Sequence, residues 1–565
     1  MRSLFLLMVV TVLAVGGSIS PNLRPLLADA GENDLLPVFV LARGGLDGAW
    51  VASATAGMSR ADRQAFVVDA LKDYAEVSLA GIVDEIESRT GGSSSSLKTH
   101  WLANAVYCEA TPELIAALAS RSDVLLVESA ADPEAGLIEP IDMHPATPDE
   151  LDRAIVWSVT KINADDVWAL GYDGTGVIVG VIDTGVNYNH IDLANNMWSD
   201  SQGHCGYDFY DNDWDPMDDN DHGTHCAGSI VGDGTGGTQT GVAPGAQCMA
   251  LRINYYSGGE STWIEAMEFG ADNGAAVLSM SLGTSHGNMT LRTAEANLLT
   301  AGVFHSVAAA NSGPTPGSIL SSGDAPPPWF HPQQTQHGGQ TAVVTVGATD
   351  SNDTVASFSS RGPVTWWSDY TVSAPLIDPD ISAPGVNVVS TARTGGYMTM
   401  SGTSMATPHV AGVAALMLDA NPNLTVAQID QIMEQTALDL LPTGKDNATG
   451  SGRIDALAAV QAALLVRVEE SVGLVPAPGV LMSAINPNPV SGSAMFQLYT
   501  GEAGRARIEV FDLTGRIVSD IPSGDIASGT HSFIWNLPEG MGNGIYFIRS
   551  TVNGVSDTAR MTVVR

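Results

Sequence analysis

The order of hydrophobic and polar positions changes character twice along this 565-residue chain. Residues 36–131 read as strand, helix, strand, strand, helix, strand, which predicts a ferredoxin-like α+β unit. From about residue 155, β-branched apolar runs such as residues 177–182 alternate with small-residue helices, as in a parallel sheet with helices on both faces. After residue 485, short alternating strands separated by turns predict a small β-sandwich. The predicted fold is α/β in the centre, with an α+β unit before it and an all-β unit after it.

Two short stretches differ from these regions. Residues 1–20 carry Arg2, then an apolar run, then small residues, which is the composition of a secretory signal peptide; the apolar core is short for a membrane anchor. Residues 132–152 are rich in proline and acids and predict an exposed linker. The predicted domains are a signal peptide (1–20), an N-terminal unit with its linker (21–150), a central domain (151–465), a second linker (466–484) and a C-terminal sandwich (485–565).

The charge balance narrows the range of partners. With 24 Lys and Arg against 62 Asp and Glu, the net charge is −38, so we expect no nucleic acid partner. The four cysteines are few for an exported protein of this size. Cys226 is the candidate for a free thiol, and a bridge between Cys205 and Cys248 stays open.

Candidate chemistry begins with a serine. Ser404 lies in a run of small residues just before residues 410–418, which are apolar on every side and predict a buried helix. Backbone N–H groups and the positive end of the helix dipole would stabilise negative charge developing there. A serine before a helix is ordinarily only a cap, so partners elsewhere in the chain must support the role of nucleophile.

Three such partners follow predicted strands or open predicted helices. Asp183 ends the run 177–182, at the edge of an open α/β sheet where chemistry is usually located. His222 opens a small-residue helix and suits a general base, whereas His225 is expected to be structural, and no Glu or Cys completes a zinc motif. Asn311 follows a buried strand and offers a fixed N–H donor. An aspartic protease is excluded by the lack of a second Asp-Thr-Gly.

These residues carry a family resemblance. Residues 183–185 (Asp-Thr-Gly), 222–225 (His-Gly-Thr-His) and 402–409 (Gly-Thr-Ser-Met-Ala-Thr-Pro-His) resemble, in that order, the motifs of the subtilisin-like serine proteases. Blocks such as residues 241–246 and 357–363 also resemble the family. The resemblance covers about residues 155–464 and implies a subtilisin-like α/β fold.

The resemblance implies roles for individual residues. Ser404 would be the nucleophile, His222 the general base and later acid, and Asp183 the group that stabilises the imidazolium. Asn311 and the N–H of Ser404 would form an oxyanion hole, and Ala310 is a departure because the family usually has glycine there. The segment that resembles the strand pairing with extended substrate consists of Ser281, Leu282 and Gly283.

The same resemblance interprets the flanking units. The N-terminal unit resembles an inhibitory propeptide, so the chain would be its own intramolecular inhibitor, cut between about residues 137 and 155. Residues 512–516 (Asp-Leu-Thr-Gly-Arg) and 544–546 (Gly-Ile-Tyr) resemble motifs of type IX secretion sorting domains. This resemblance implies a secretion machinery as partner and export across an outer membrane, to the medium or the cell surface; a surface-binding sandwich is the other interpretation.

No organic cofactor is expected, but calcium is. Four carboxylates, Asp208, Asp211, Asp213 and Asp215, lie within eight residues, and so much charge destabilises a loop unless a cation neutralises it. The distance of this loop from His222 resembles a calcium loop of the family. Asp192 resembles a further calcium ligand whose companion loop is not evident in the sequence.

Two classes of function remain at this point. One is a secreted serine endopeptidase that processes its own precursor and acts on proteins or peptides. The other is a catalytically silent, or only self-processing, surface protein that keeps the fold for binding. All four chemical positions are filled, which favours the enzyme.

Overall fold

The computed structural model divides the chain into two compact units, residues 1–469 and 470–565. It describes residues 17–91, 97–132, 135–152, 154–256, 258–285, 287–325, 343–364, 376–440, 442–466, 480–482, 490, 493–500, 503–512, 516–521, 524–527, 529–538, 540–553 and 555–563. Most of the predicted signal peptide and of the linker 466–484 lies outside these ranges. Among the described residues, no helix has both the length and the apolar character that a membrane crossing requires.

The first unit begins with a sheet covered by helices. Its elements are β1 (Ser18–Ile19), α1 (Leu23–Asp29), β2 (Leu36–Ala42), α2 (Gly48–Ala54), α3 (Arg60–Thr90), β3 (Lys98–His100), β4 (Ala105–Ala110), α4 (Pro112–Ala119) and β5 (Val124–Ser129). The strand order is β1-β5-β2-β4-β3. Ser59 caps α3 by accepting from the N–H of Asp62, and Thr111 caps α4 in the same way. The predicted α+β unit is therefore present, with β1, α1 and α2 added to it.

The larger part of the first unit follows. Its elements are β6 (Gly136–Leu137), β7 (Asp142–Pro145), α5 (Pro148–Leu151), α6 (Trp157–Lys161), α7 (Ala164–Ala169), β8 (Ile178–Asp183), β9 (Gly206–Asp208), α8 (His222–Val231), β10 (Gln247–Arg252), α9 (Glu260–Asp272), β11 (Val277–Met280), β12 (Leu282–Gly283), α10 (Met289–Ala301), β13 (Phe304–Ala308), β14 (Val344–Thr349), β15 (Ile381–Pro384), β16 (Val388–Thr391), β17 (Tyr397–Ser401), α11 (Thr403–Ala420), α12 (Val426–Thr436) and α13 (Ala456–Leu465).

Seven parallel strands form the central sheet, in the order β15-β14-β13-β11-β8-β10-β9. From β8 the chain first adds β9 and β10 on one side, and then builds β11 and its successors on the other. The carboxyl end of β8 is thus a switch point of the topology, where open α/β sheets place their ligands. Asp183 is the last residue of β8.

Helices cover both faces of this sheet, as the sequence predicts. On one face, α8, α11 and α13 pack in a cluster that includes Ala227, Val413 and Val460. On the other face, α9 and α10 pack in a second cluster that also takes in Phe39 and Leu71 of the N-terminal unit. The predicted α/β class is confirmed, and the N-terminal unit shares one of its cores.

The exposed linker predicted over residues 132–152 is wrong for its first part. Asp132, Ala135 and Ile138 are at most 6% exposed. β6 pairs antiparallel with β12, and β7 pairs antiparallel with β17. The segment adds strands to existing edges, where backbone hydrogen bonds replace water, although the side chains of β7 stay mostly exposed.

The second unit contains strands and no helix among its described residues. The strands are β18 (Val480–Met482), β19 (Ser493–Thr500), β20 (Gly504–Asp512), β21 (Ile517–Ile521), β22 (Asp525–Ile526), β23 (Gly529–Asn536), β24 (Gly544–Val552) and β25 (Val555–Val563). β18, β19 and β23 form one sheet, and the remaining strands form the other. Phe496, Trp535 and Ile548 belong to one buried core. The all-β prediction is confirmed, while residues 513–515 of the sorting motif lie outside the described part.

Candidate active site

A buried carboxylate and a buried imidazole meet at the carboxyl edge of the central sheet. Asp183 Oδ1 lies 2.8 Å from Nδ1 of His222, which is the first residue of α8. Neither residue is more than 1% exposed. Burial by itself would lower the pKa of His222, but the negative charge of Asp183 raises it well above the ordinary value. The imidazole is therefore well placed to accept a proton.

Asp218, which the sequence reasoning missed, fixes the geometry of this pair. Its carboxylate accepts from the hydroxyl of Thr184 at 2.8 Å and from the N–H and hydroxyl of Thr224. The Thr184 hydroxyl in turn accepts from the N–H of Gly223 at 2.9 Å. The end of β8 and the first turn of α8 are thus tied together by one buried carboxylate. Its position four residues before His222 was the only signal in the sequence.

Ser404 is the second residue of α11 and is fully buried. Its hydroxyl donates to the carbonyl oxygen of Ile138 at 2.8 Å. Nε2 of His222 is buried and has no hydrogen-bond partner among the described residues. The serine proton is therefore directed at the chain's own linker and not at the histidine.

Asn311 holds its side-chain amide between α11 and the linker. Its Oδ1 accepts from the N–H of Thr403 at 2.9 Å and from the Thr403 hydroxyl at 3.0 Å. Nδ2, on the other side of the amide, donates to the carbonyl of Glu139 at 2.9 Å. This pattern fixes which end of the amide faces the cleft. The amide is an N–H donor suited to a developing oxyanion.

The linker lies across these groups as an extended peptide. Leu137 pairs with Leu282, and Gly136 with Gly283, in antiparallel register. The N–H of Ile138 donates to the carbonyl of Ser281 at 3.2 Å. All three residues expected to bind extended substrate, Ser281, Leu282 and Gly283, therefore face a peptide of the chain itself.

Two neighbours of the pair are neutral. His225 bonds the Val388 carbonyl at 3.0 Å, and burial lowers its pKa to about 3. The thiol of Cys226 lies 3.9 Å from Nδ1 of His222, and burial raises its pKa to about 11. Cys205 and Cys248 are also free thiols, so the bridge left open by the sequence is not formed.

An arginine that the sequence reasoning did not pair with the acidic loop compensates part of its charge. The guanidinium of Arg252 binds Asp208 and, at 2.8 Å, Asp211. Asp213 accepts from the N–H of Asp215 at 2.9 Å. Among the described residues, only Asp183, His222 and Cys226 bring three ligand atoms within 4.8 Å of one another. The four loop aspartates, as placed, do not converge on one cation.

Asp192 is likewise satisfied by protein groups. Its carboxylate accepts from the Tyr397 hydroxyl at 2.7 Å and from the N–H of Gly236. The loop that contains Gly236 thus contacts Asp192. One carboxylate in this loop contact does not by itself make a set of calcium ligands.

Carboxylates also line the contact between the N-terminal unit and the central domain. Glu128 accepts from the N–H of Met289 at 3.2 Å and from the N–H and hydroxyl of Thr290 at the start of α10. Asp132 accepts from the hydroxyls of Thr284 and Ser285, and its own N–H donates to Glu260. The N-terminal unit therefore supplies additional hydrogen-bond acceptors to the first N–H groups of α10 and to residues 284–285.

Fold and site together define a class of protein. A buried Asp–His pair, a serine at a helix start, a fixed amide donor and a strand-paired peptide are the groups that a serine peptidase needs. Residues 174–452 match the model of the subtilase family, Peptidase_S8. The chain belongs to this family and is a serine-type endopeptidase.

Three relatives illustrate the similarity. Thermitase of Thermoactinomyces vulgaris is 36% identical over 307 residues, which cover 53% of this chain and 94% of the relative. Subtilisin DY of Bacillus licheniformis is 35% identical over 312 residues, which cover 55% of this chain and all of the relative. The thermophilic serine proteinase of Bacillus sp. (strain AK1) is 37% identical over 283 residues, covering 50% of this chain and 61% of the relative.

Proposed function

We propose that this chain is the precursor of a secreted endopeptidase that hydrolyses proteins through an acyl-enzyme. Ser404 attacks the peptide carbonyl, His222 takes the serine proton and gives it to the leaving nitrogen, and Asp183 stabilises the imidazolium. The 2.8 Å contact between Asp183 and His222, in a site without solvent exposure, supports this assignment.

The oxyanion of the tetrahedral intermediate is bound by two N–H donors in this proposal. One is Nδ2 of Asn311, whose other end is fixed by two bonds from Thr403. The second is the backbone N–H of Ser404, at the start of α11, where the helix dipole adds to the effect. The two bonds from Thr403 keep Nδ2 of this amide facing the cleft, although in the resting precursor it contacts the Glu139 carbonyl.

The N-terminal unit acts as an intramolecular inhibitor and folding aid in this proposal. One observation carries it: residues 136–138 pair with the strand Ser281–Gly283 as a substrate would, with the Ile138 carbonyl 2.8 Å from Ser404 Oγ. Ion pairs from Lys98 to Glu265 (2.8 Å) and from Lys72 to Asp272 (2.5 Å) link the unit to α9. A peptide held this way excludes other substrates until it is cut and released.

Export and ion binding complete the proposal. The all-β unit, residues 485–565, directs the precursor to a type IX secretion machinery, so the enzyme acts outside a cell that has an outer membrane. The motifs of residues 512–516 and 544–546 support this step. Calcium as a structural ion stays a prediction from the acidic sequence, because Arg252 already forms ion pairs with Asp208 and Asp211.

The variant Ser404→Ala tests the central proposal. We expect purified Ser404→Ala precursor to stay uncut and to hydrolyse no casein, while Ser199→Ala, which alters an exposed serine, matures and hydrolyses casein like the wild type. Self-processing of the Ser404→Ala protein, in a sample free of other proteases, would contradict the assignment of the nucleophile.

A further inference from the structure

The side chain of Ile138 fills a small apolar pocket beside the nucleophile. It is 6% exposed and packs in one cluster with Ala308, Ala310 and Leu320. A Cβ added to Gly283 would lie 3.5 Å from Ile138 Cδ1 and 2.9 Å from Leu320 Cδ1. The pocket is therefore closed on the sides formed by these residues and contains no charged group among them.

Backbone contacts on both sides of this side chain fix its register. The N–H of Leu137 donates to the Tyr255 carbonyl at 3.2 Å, and the N–H of Ile138 donates to the Ser281 carbonyl at 3.2 Å. The carbonyl of Ile138 is the one that receives the Ser404 hydroxyl. The residue in the pocket is thus the residue whose carbonyl meets the nucleophile.

The bond between Glu139 and Pro140 is the alternative site for the first cut, because Nδ2 of Asn311 contacts the carbonyl of Glu139. The side chain of Glu139 is exposed, so no pocket holds it. The bond after Glu139 leads to Pro140, whose ring crowds the nitrogen that must accept the proton. The contact of Asn311 with Glu139 instead keeps the amide away from the Ile138 carbonyl in the resting precursor.

Ala310 is the unusual wall of the pocket. Its φ is +87°, in the left-handed region that glycine adopts without steric cost. A residue kept in such a conformation beside the nucleophile is a sign that its side chain has a use. Its methyl group occupies space that glycine would leave to the bound side chain.

We propose, building on the function proposed above, that Ala310 is a specificity-determining residue. With Leu320 it restricts the pocket to aliphatic side chains of about the size of isoleucine, and the first self-cleavage is at Ile138–Glu139. Ser404 Oγ forms an ester with the Ile138 carbonyl carbon while its proton passes through His222 to the nitrogen of Glu139. Water then hydrolyses the ester, which leaves a carboxylate on Ile138 and a new amino terminus on Glu139.

The first test is the position of the earliest cut. Full-length precursor is incubated and sampled at short times for intact mass, with Ser404→Ala as the control for other proteases. We expect one fragment that ends at Ile138 and one that begins at Glu139. Casein hydrolysis with a first cut elsewhere would overturn this inference alone; no hydrolysis of either casein or precursor would overturn the proposed function as well.

The second test is a pair of complementary substitutions. Ile138→Phe should slow the first cut at least about 10-fold, the effect of a poorly fitting apolar group in a pocket. Ala310→Gly in the same chain should restore much of the rate, because it removes the methyl group that opposes the ring. Val77→Phe, on the exposed face of α3, is the matched control and should mature normally.

Peptide substrates give a readout that does not depend on how much enzyme is folded. The ratio of kcat/KM for peptides with Phe and with Ile before the cut is measured in each enzyme. We expect this ratio to rise about 10-fold or more in Ala310→Gly. An unchanged ratio, or a wild-type enzyme that prefers Phe, would overturn the role of Ala310.

Discussion

Release of the N-terminal unit is expected to depend on pH through Glu260. This residue opens α9 and is fully buried in the precursor. Its Oε1 accepts from the N–H of Asp132 at 3.2 Å, and its Oε2 has no hydrogen-bond partner among the described residues. Burial, followed by the nearby charges of Asp132 and Glu128, raises the pKa of Glu260 to about 8.

The structure sets the sign and size of this effect. In the released enzyme the carboxyl regains water, and its pKa should return to about 4.5. Docking of the N-terminal unit therefore takes up a proton on Glu260. The contribution of this group to the affinity between the two parts is fully present below pH 4.5 and is lost as the pH rises through 8. Between pH 6 and pH 8 this one group should raise the inhibition constant about 50-fold, or about 2 kcal/mol. Burial raises the pKa of Glu128 to about 7, which acts in the same direction.

The assay is inhibition of the mature enzyme by added N-terminal unit (residues 21–138) from pH 6 to pH 8. Glu260→Gln mimics the protonated side chain, so its inhibition constant should rise less steeply with pH than that of the wild type. Glu265→Gln is the matched control on the same helix: it removes an ion pair with Lys98 and should weaken inhibition equally at every pH. Equal pH slopes for the wild type and Glu260→Gln would refute the reasoning.

Three further predictions concern other parts of the chain. Asn311→Ala should remove about 2.7–4 kcal/mol of transition-state stabilisation, the effect known for such a donor in a subtilisin. The loss should appear as a lower kcat with KM nearly unchanged, and wild-type turnover would contradict it. Arg252→Gln should lower stability by about 3 kcal/mol in urea melts, because it leaves the buried Asp208 without its counter-charge. Added calcium should stabilise Arg252→Gln more than the wild type, because it can replace the lost positive charge. A fall of the wild-type melting temperature in chelator would support the calcium site predicted from sequence. Truncation before Ile485 should block export while refolded protein stays active; normal export would exclude the sorting role.

The elements that the sequence predicts well are those with a local cause. The run at residues 177–182 predicts a buried strand, and β8 covers Ile178–Asp183. Thr111 followed by proline marks the start of α4. By contrast, β6 and β7 have no local pattern, since they form only because β12 and β17 offer free edges. Pairings of this kind depend on residues more than a hundred positions away.

The candidate site divides in the same way. Asp183, His222 and Ser404 lie in short motifs of small residues, so their types and order predict the chemistry before any coordinates are known. The role of Glu260 depends on burial by another part of the chain, which composition does not indicate. Arg252 is 33 residues or more from the aspartates it binds, so the sequence presents the loop as an uncompensated acidic cluster.

The strand β7 has a consequence for how activity first appears. It pairs over four residues with β17, the strand that leads directly into Ser404, and the N–H of Ile141 adds a bond to the Ser401 carbonyl at 2.8 Å. Cleavage of the Ile138–Glu139 bond, which precedes β7, leaves β7 paired with β17 in this half of the cleft. In the newly cut molecule the new amino-terminal segment therefore still occupies the cleft of its own chain. Separation of β7 from β17 is a unimolecular step that must precede full activity. Progress curves should therefore begin with a lag whose length does not change on dilution.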